Sequence, residues 1–273
     1  MGDNDCRELR AYWSSFTRQQ PRVPYLHPKD CQYLDSIGYW AKHPNAREKL
    51  NFDKYLRSRR FGRKDDEFHF SLRPAPYIGD LANATVFILL LNPGFAHIDY
   101  YSEYARPGYR KLLDKNLAQD FRGVKFRYIH LDPAFCWAGG FRWWEGKLRS
   151  LLWEVAEKRF AGNYYSALQF ASRRLASIEL IPYHSANFRK GSLIKNLPSA
   201  QVALRAATSL ERRARKGEVV VVVLRKASEW GLTQFRDQIV CYEGGEARGA
   251  HLTPSTKGGQ AILKKLLRDA DRS

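Results

Sequence analysis

The sequence predicts an α/β fold, a three-layer sandwich with a central, mostly parallel sheet flanked by helices. Three observations carry this. The runs "TVFILLL" (85–91) and "VVVVVL" (219–224) are short, continuous and apolar, which suits strands buried on both faces. Amphipathic helical patterns alternate with such runs along the chain. With 273 residues, 44% hydrophobic and 14% aromatic, the chain can bury a large core.

Taken in order, residues 1–75 are polar and rich in Arg, Tyr and Asp, and read as a mainly helical N-terminal extension packed on a core domain of residues 76–273. The extension includes the basic stretch "KYLRSRRFGRK" (54–64). "TVFILLL" is the first strand and "FRYIHL" (126–131) the second candidate. "RWWEGKLRSLLWEVAEK" (142–158) carries Trp144, Leu148, Leu151, Leu152 and Val155 at helical spacing. "IELI" (178–181) is a third strand. A helix from Ser199 to Lys216 takes Ser199 as N-cap and Gly217 as stop. "VVVVVL", then "QIVCY" (238–242), give two further strands, and "QAILKKLLRDA" (260–270) a closing amphipathic helix. No internal repeat or low-complexity segment interrupts the pattern.

The balance of 46 Lys+Arg against 28 Asp+Glu leaves a net charge of +18, an excess that attracts polyanions, of which nucleic acid is the commonest. No apolar run is long enough to span a bilayer, and "MGDNDCRELRAYW" lacks the apolar region of a signal peptide. Cys6, Cys31, Cys136 and Cys241 lie far apart, which argues against zinc, an iron–sulfur cluster or a disulfide framework. The expectation is a reduced, cytoplasmic monomer with no metal and no cofactor. The phosphate-cradling loop of Walker-type NTPases, the nucleophile elbow, the dinucleotide fingerprint and the zinc-deaminase signature are all missing.

In open α/β sheets, sites form where loops leave the carboxyl ends of the strands. The segments just beyond the strands are "NPGFAHIDYY" (92–101), "DPAFCWAGG" (132–140), "PYHSANFRKG" (182–191), "RKASEW" (225–230) and "HLTPSTKGG" (251–259). They hold amides, histidines, hydroxyls, aromatics and lysines, the composition of a nucleotide site. Each has an ordinary alternative. Asn-Pro-Gly serves turns, His184 suits a satisfied core histidine, Asp99 a capping carboxylate, and the Ser-Thr-Lys-Gly-Gly step a plain helix entry.

A strand ending in "LLLNPGF" (89–95) resembles the first motif of the uracil-DNA glycosylase superfamily, in its mismatch-specific and single-strand-selective branches. "LRPAPYIGDLANATVFIL" (72–89), "LDPAF" with "GGFRWWEGKL" (131–148), "PYHS" (182–185) and "TPSTKGG" (253–259) are similar to bacterial proteins related to that superfamily. The resemblance implies that Asn92 positions the attacking water or supports the cleaved sugar, that Phe95 stacks on an extruded base, and that His184, with Ser185 and Asn187, reads the base edge. The second motif of the family is His-Pro-Ser or Asn-Pro-Ser, and here it reads Thr253-Pro254-Ser255. Either His251 or His184 replaces the missing group, or the substrate does not need it.

The chemistry of base excision makes the same demands. Positive charge builds on the sugar and negative charge on the base, so a placed water and donors to the base are required. Asn92 suits the first task and His184 the second, with Asp99 as water activator. Phe95, Tyr100 and Trp143 supply an aromatic platform and Leu252 a wedge for a flipped base. Lys190, Lys195 and Lys257 hold phosphates, assisted by the backbone of Gly258 and Gly259. The leading expectation is a monofunctional DNA glycosylase acting on a flipped pyrimidine-type base. The altered second motif points to a modified cytosine or uracil, as in foreign (phage) DNA, and to a defence role. Two rivals stand beside it: a non-catalytic nucleic-acid-binding protein on the same fold, and a small-molecule nucleoside hydrolase.

Overall fold

The computed structural model describes residues 6–18, 24–63, 66–188, 191–244, 246 and 252–271, the side chains of residues 194 and 195 excepted. Helices α1 (Arg7–Arg18), α2 (Pro28–Ser36), α3 (Tyr39–Lys42) and α4 (Phe52–Leu56) precede strand β1 (Tyr77–Gly79). Strand β2 (Val86–Leu90) leads into α5 (His97–Tyr104), α6 (Pro107–Leu117), α7 (Gly139–Arg159) and α8 (Tyr164–Ser172). Then come β3 (Leu175–Glu179), α9 (Gly191–Asn196), α10 (Pro198–Arg215), β4 (Val220–Val223), α11 (Ala227–Trp230), β5 (Ile239–Cys241) and α12 (Lys257–Ala270).

The five strands form one sheet in the order β1-β3-β2-β4-β5. β2, β3, β4 and β5 are parallel, with Leu90 opposite Glu179 and Leu89 opposite Val223, while β1 joins β3 antiparallel. Side chains alternate between two apolar layers. Phe87, Leu89, Ile178, Val221 and Val223 face one core with α1, α2 and α10. Val86, Ile88, Leu90, Leu175, Val220 and Val222 face the other, with α7, α8 and α12. Burial on both faces explains why these strands read as unbroken apolar runs.

The N-terminal residues are built into the first of these layers. Trp13, Leu9 and Leu34 share a core with the sheet. Asp30 on α2 is fully buried. It accepts from the Ser199 backbone N–H (2.9 Å), the Tyr183 hydroxyl (2.5 Å) and the Tyr12 hydroxyl (3.0 Å). It thus satisfies an orphan donor in the first turn of α10, from a remote part of the chain.

The structure corrects several expectations. Residues 126–131 form no strand; Ile129–Leu131 is a short 3-10 turn, with Phe126 and Tyr128 buried beneath α7 and α8. Helix α10 begins at Pro198, a residue with no N–H to leave unpaired, so Leu197 rather than Ser199 is the cap position. Strand β1, three residues long, was not anticipated. Among the described residues, no helix is long and apolar enough to cross a membrane. No group of three or more His, Cys, Asp or Glu there could hold a metal ion, and the four cysteines are free.

Candidate functional site at the carboxyl edge of the sheet

A cavity of ≈ 590 Å³ opens at the carboxyl ends of β2, β3 and β4. Its wall comes from the turn after β2 (Asn92–Ala96), the last residue of β3 (Glu179), the loop beyond it (His184, Ala186–Phe188) and Arg225 after β4. Residues 73–75, which lead into antiparallel β1, close one side, and Gly139, Gly140, Trp143 and Trp144 at the start of α7 close another. The place is that expected of a parallel sheet whose crossovers leave on opposite faces.

The turn after β2 is shaped by its own residues. Gly94 has φ +69°, a conformation that side chains with a Cβ rarely adopt. The Asn92 amide nitrogen donates to Ser185 Oγ (3.1 Å) and approaches the Ser185 carbonyl (3.5 Å). A carbonyl can only accept, so the nitrogen side of the amide is fixed towards residue 185. His184 Nδ1 donates to the Gly94 carbonyl (3.0 Å), tying the same two loops together a second time. Burial holds the His184 ring below its ordinary proton affinity, against the pull of the Asp99 carboxylate and the Gly94 and Arg73 carbonyls. The Nδ1–H is spent on Gly94, and the Arg73 carbonyl is a second acceptor for the ring.

Asp99 sits in the first turn of α5. Its Oδ2 accepts from the Ala96 N–H at 2.7 Å, the capping role weighed from the sequence. Its Oδ1 faces Gly139, where a Cβ would lie 3.5 Å away. Burial raises its pKa, opposed by the nearby His184. Helix α7 starts beside it after Ala138, a cap position with no side-chain hydrogen bond, and Gly139 and Gly140 of its first turn line the cavity.

Phe95 lines the cavity, with one face covered by the buried His69 ring (centroids 3.7 Å apart, 11° between planes). Trp143 is 42% exposed at the rim, with Lys147 Nζ 4.8 Å from its ring centre. Arg73 donates to Glu103 (3.2 Å) and Asp114 (2.5 Å) and so anchors the wall that leads into β1. Burial pushes Glu103 up to about 7, opposed by Arg73.

Of the residues expected from the sequence, Asn92, Phe95, Asp99, Trp143, His184 and Asn187 meet at this cavity. Ser185 stands behind it as the partner of Asn92. Tyr100 does not line it. Its ring is fully buried and stacked on Tyr55 at 4.0 Å, which rules out the expected contact with a base. Leu252 is likewise fully buried under α12 rather than presented as a wedge.

The second motif lies elsewhere. Thr253 Oγ1 bonds Ser255 Oγ at 3.0 Å, and neither side chain lines the cavity. The Gly258 N–H donates to the Tyr242 hydroxyl (3.0 Å) and the Gly259 N–H to Thr256 Oγ1 (3.2 Å), so neither is free for a phosphate. Lys257 pairs with Glu246 at 2.8 Å on the surface. Lys190, His251 and the side chain of Lys195 lie outside the described residues.

Sequence reasoning missed Glu179, His130 and Arg225 as cavity residues. For Glu179 a clue was present: an acid inside an otherwise apolar strand, "ASIELI" (176–181). The contribution of His69 and Tyr55 from the N-terminal region left no local trace.

Fold and site thus define the class of protein: an α/β sandwich with a mixed five-stranded sheet and an aromatic and polar cavity at its carboxyl edge. Comparison with protein-family models, curated proteins and solved structures finds no match to this chain.

Proposed function

We propose that the protein is a DNA N-glycosylase that hydrolyses the bond between deoxyribose and a flipped base held in this cavity. The observation that carries the reading is the convergence of Asn92, Asp99, Phe95 and Trp143 on one base-sized cavity in a chain of net charge +18. Asn92 Oδ1 has no protein donor among the described residues once its nitrogen is held by Ser185. It accepts one hydrogen of a water, and Asp99 Oδ1 accepts the other and takes the proton as the water attacks C1′. The uncapped first turn of α7 supplies backbone donors towards charge developing on the departing base. Phe95, its other face covered by His69, offers one ring face for stacking, and Trp143 at the rim a second surface. His184 acts as a positioning residue that fixes the Gly94 turn.

The test is base release. Oligonucleotides carrying different bases are incubated with the protein, and abasic sites are scored by alkaline cleavage. Release by the wild type and its loss in Asn92→Ala support the reading; equal release by both sinks the mechanism. A second reading, binding without catalysis, is favoured by one observation. Asn92, Asp99 and His184 each have a structural hydrogen bond of their own. It prevails if DNA binds tightly and no base of any kind is released.

A further inference from the structure

Two buried polar atoms at the cavity have no hydrogen-bond partner among the described residues, Glu179 Oε2 and His130 Nδ1. Glu179 is the more informative. It ends the inner strand β3, is 9% exposed, and lies beside Leu90 in the parallel register. Its backbone N–H is satisfied by the Pro76 carbonyl, so the strand has no need of this side chain. The chain carries 46 Lys+Arg, yet among the described residues Glu179 Oε2 has no donor, and burial raises the pKa of the carboxyl well above the ordinary value. A buried, unpaired acid in a cavity is a group kept for a ligand.

We propose that Glu179 reads the base, and that the cavity accepts an edge on which an amino group stands beside an unprotonated ring nitrogen. The edges of cytosine and adenine share this pattern. This inference rests on the glycosylase reading for its catalytic part but not for its recognition part. A neutral carboxyl donates its O–H to the ring nitrogen and accepts from the amino group through its C=O, a two-bond pair. That ring nitrogen is about as basic as a carboxylate, so the proton is shared and the pair is charge-assisted. The uracil-type edge also pairs with a neutral carboxyl, through its ring N–H and a carbonyl oxygen. Its ring nitrogen carries hydrogen already and cannot take the proton, so that pair stays neutral and weaker.

The same transfer serves bond cleavage. As the C1′–N bond breaks, its electron pair passes to the base, and the Glu179 proton moves to the ring nitrogen, so the base leaves neutral. Water delivers hydroxyl to C1′. The proton it gives up at Asp99 passes to solvent, and solvent reprotonates Glu179, which closes the balance.

The experiment measures binding of free cytosine, adenine and uracil by calorimetry, to the wild type and to Glu179→Gln. The amide of the variant donates and accepts but cannot transfer a proton. The expected result is cytosine, adenine or both bound about tenfold or more tighter than uracil by the wild type, with the preference reduced at least severalfold in the variant. Cytosine alone marks a pyrimidine site and adenine alone a purine site; either supports the proposal. Uracil bound as tightly, no base bound, or an unchanged preference in the folded variant overturns it. If the variant fails to fold, the wild-type preference decides. The two levels separate in the DNA assay. Preferential binding with no release from any oligonucleotide removes the glycosylase reading alone, whereas release confined to uracil-type bases removes this inference alone.

Discussion

The amide nitrogen of Asn92 stands 3.1 Å from Ser185 Oγ, so the turn leaving β2 is tied to the turn leaving β3 across the mouth of the cavity. Ser185 does not line the cavity; it orients Asn92, which does. Ser185→Ala should lower base release by about tenfold or more, as an unheld amide loses its fixed orientation, at a cost of ~1 kcal/mol in stability. Ser185→Thr, which keeps the hydroxyl, should restore most of the rate. Equal rates for Ala and wild type would remove the positioning role.

Asp30 has no part in the chemistry but holds three donors that join α1, α10 and the 183–185 loop. Asp30→Ala leaves a buried backbone N–H and two hydroxyls short of an acceptor. The expected loss is about 3 kcal/mol or more by urea denaturation, since each buried donor left without an acceptor costs about 1–3 kcal/mol. A loss under ~1 kcal/mol would mean that water replaces the carboxylate.

Gly259 shows that the glycine pair at the start of α12 is there for packing. A Cβ at this position would lie 1.8 Å from the Thr253 carbonyl oxygen, a backbone atom that cannot swing aside. Gly259→Ala should therefore destabilise by about 1–3 kcal/mol or more, by thermal melt, while the folded fraction keeps its DNA affinity. Weakened DNA binding at unchanged stability would return this loop to the phosphate-binding role.

Glu179 should leave a mark on stability as well as on recognition. Its folded pKa lies above the ordinary 4.5, so the folded state binds the extra proton and stability falls as pH rises past that value. Glu179→Gln should thus melt higher than the wild type at pH 8, with the advantage shrinking to nothing from this source below about pH 4.5. For a chain of this size each ~1 kcal/mol appears as about 2–4 °C. A constant difference between pH 4 and pH 8 would show that the carboxyl does not titrate in this way.

Arg225 is exposed at the cavity wall, with no carboxylate paired to it among the described residues. If it meets a phosphate beside the flipped base, Arg225→Ala should reduce the slope of log affinity for DNA against log salt by about one. Fluorescence anisotropy at several salt concentrations measures this. An unchanged slope would place Arg225 outside the footprint.

The central strands were legible because burial on both faces leaves a run such as Val219–Leu224 almost no chemical choice. Asn92 was legible because Pro93 and Gly94 mark the turn after such a strand. The segment 126–131 misled because Phe126, Tyr128 and Leu131 are apolar for the sake of the core beneath α7 and α8, whatever the local backbone does. Tyr100 and Leu252 were misplaced for a related reason: an aromatic or leucine near a candidate site reads the same whether it lines the site or supports it. Glu179 was overlooked within a strand, although its charge there was the anomaly. His69 stacking on Phe95 joins residues whose proximity only the folded chain reveals.

The layer shared by α1 and α10 also sets a timetable for synthesis. Leu9 and Trp13 pack into the core that contains Ala203, Ala206 and Leu210. A ribosome adding about 5–20 residues each second reaches α10 roughly 10–40 s after it has made α1. Throughout that interval α1 has earlier partners such as His27, which Trp13 and Phe16 pack against, but lacks the cover that α10 provides. The layer that holds α1 is therefore completed only once α10 has been made.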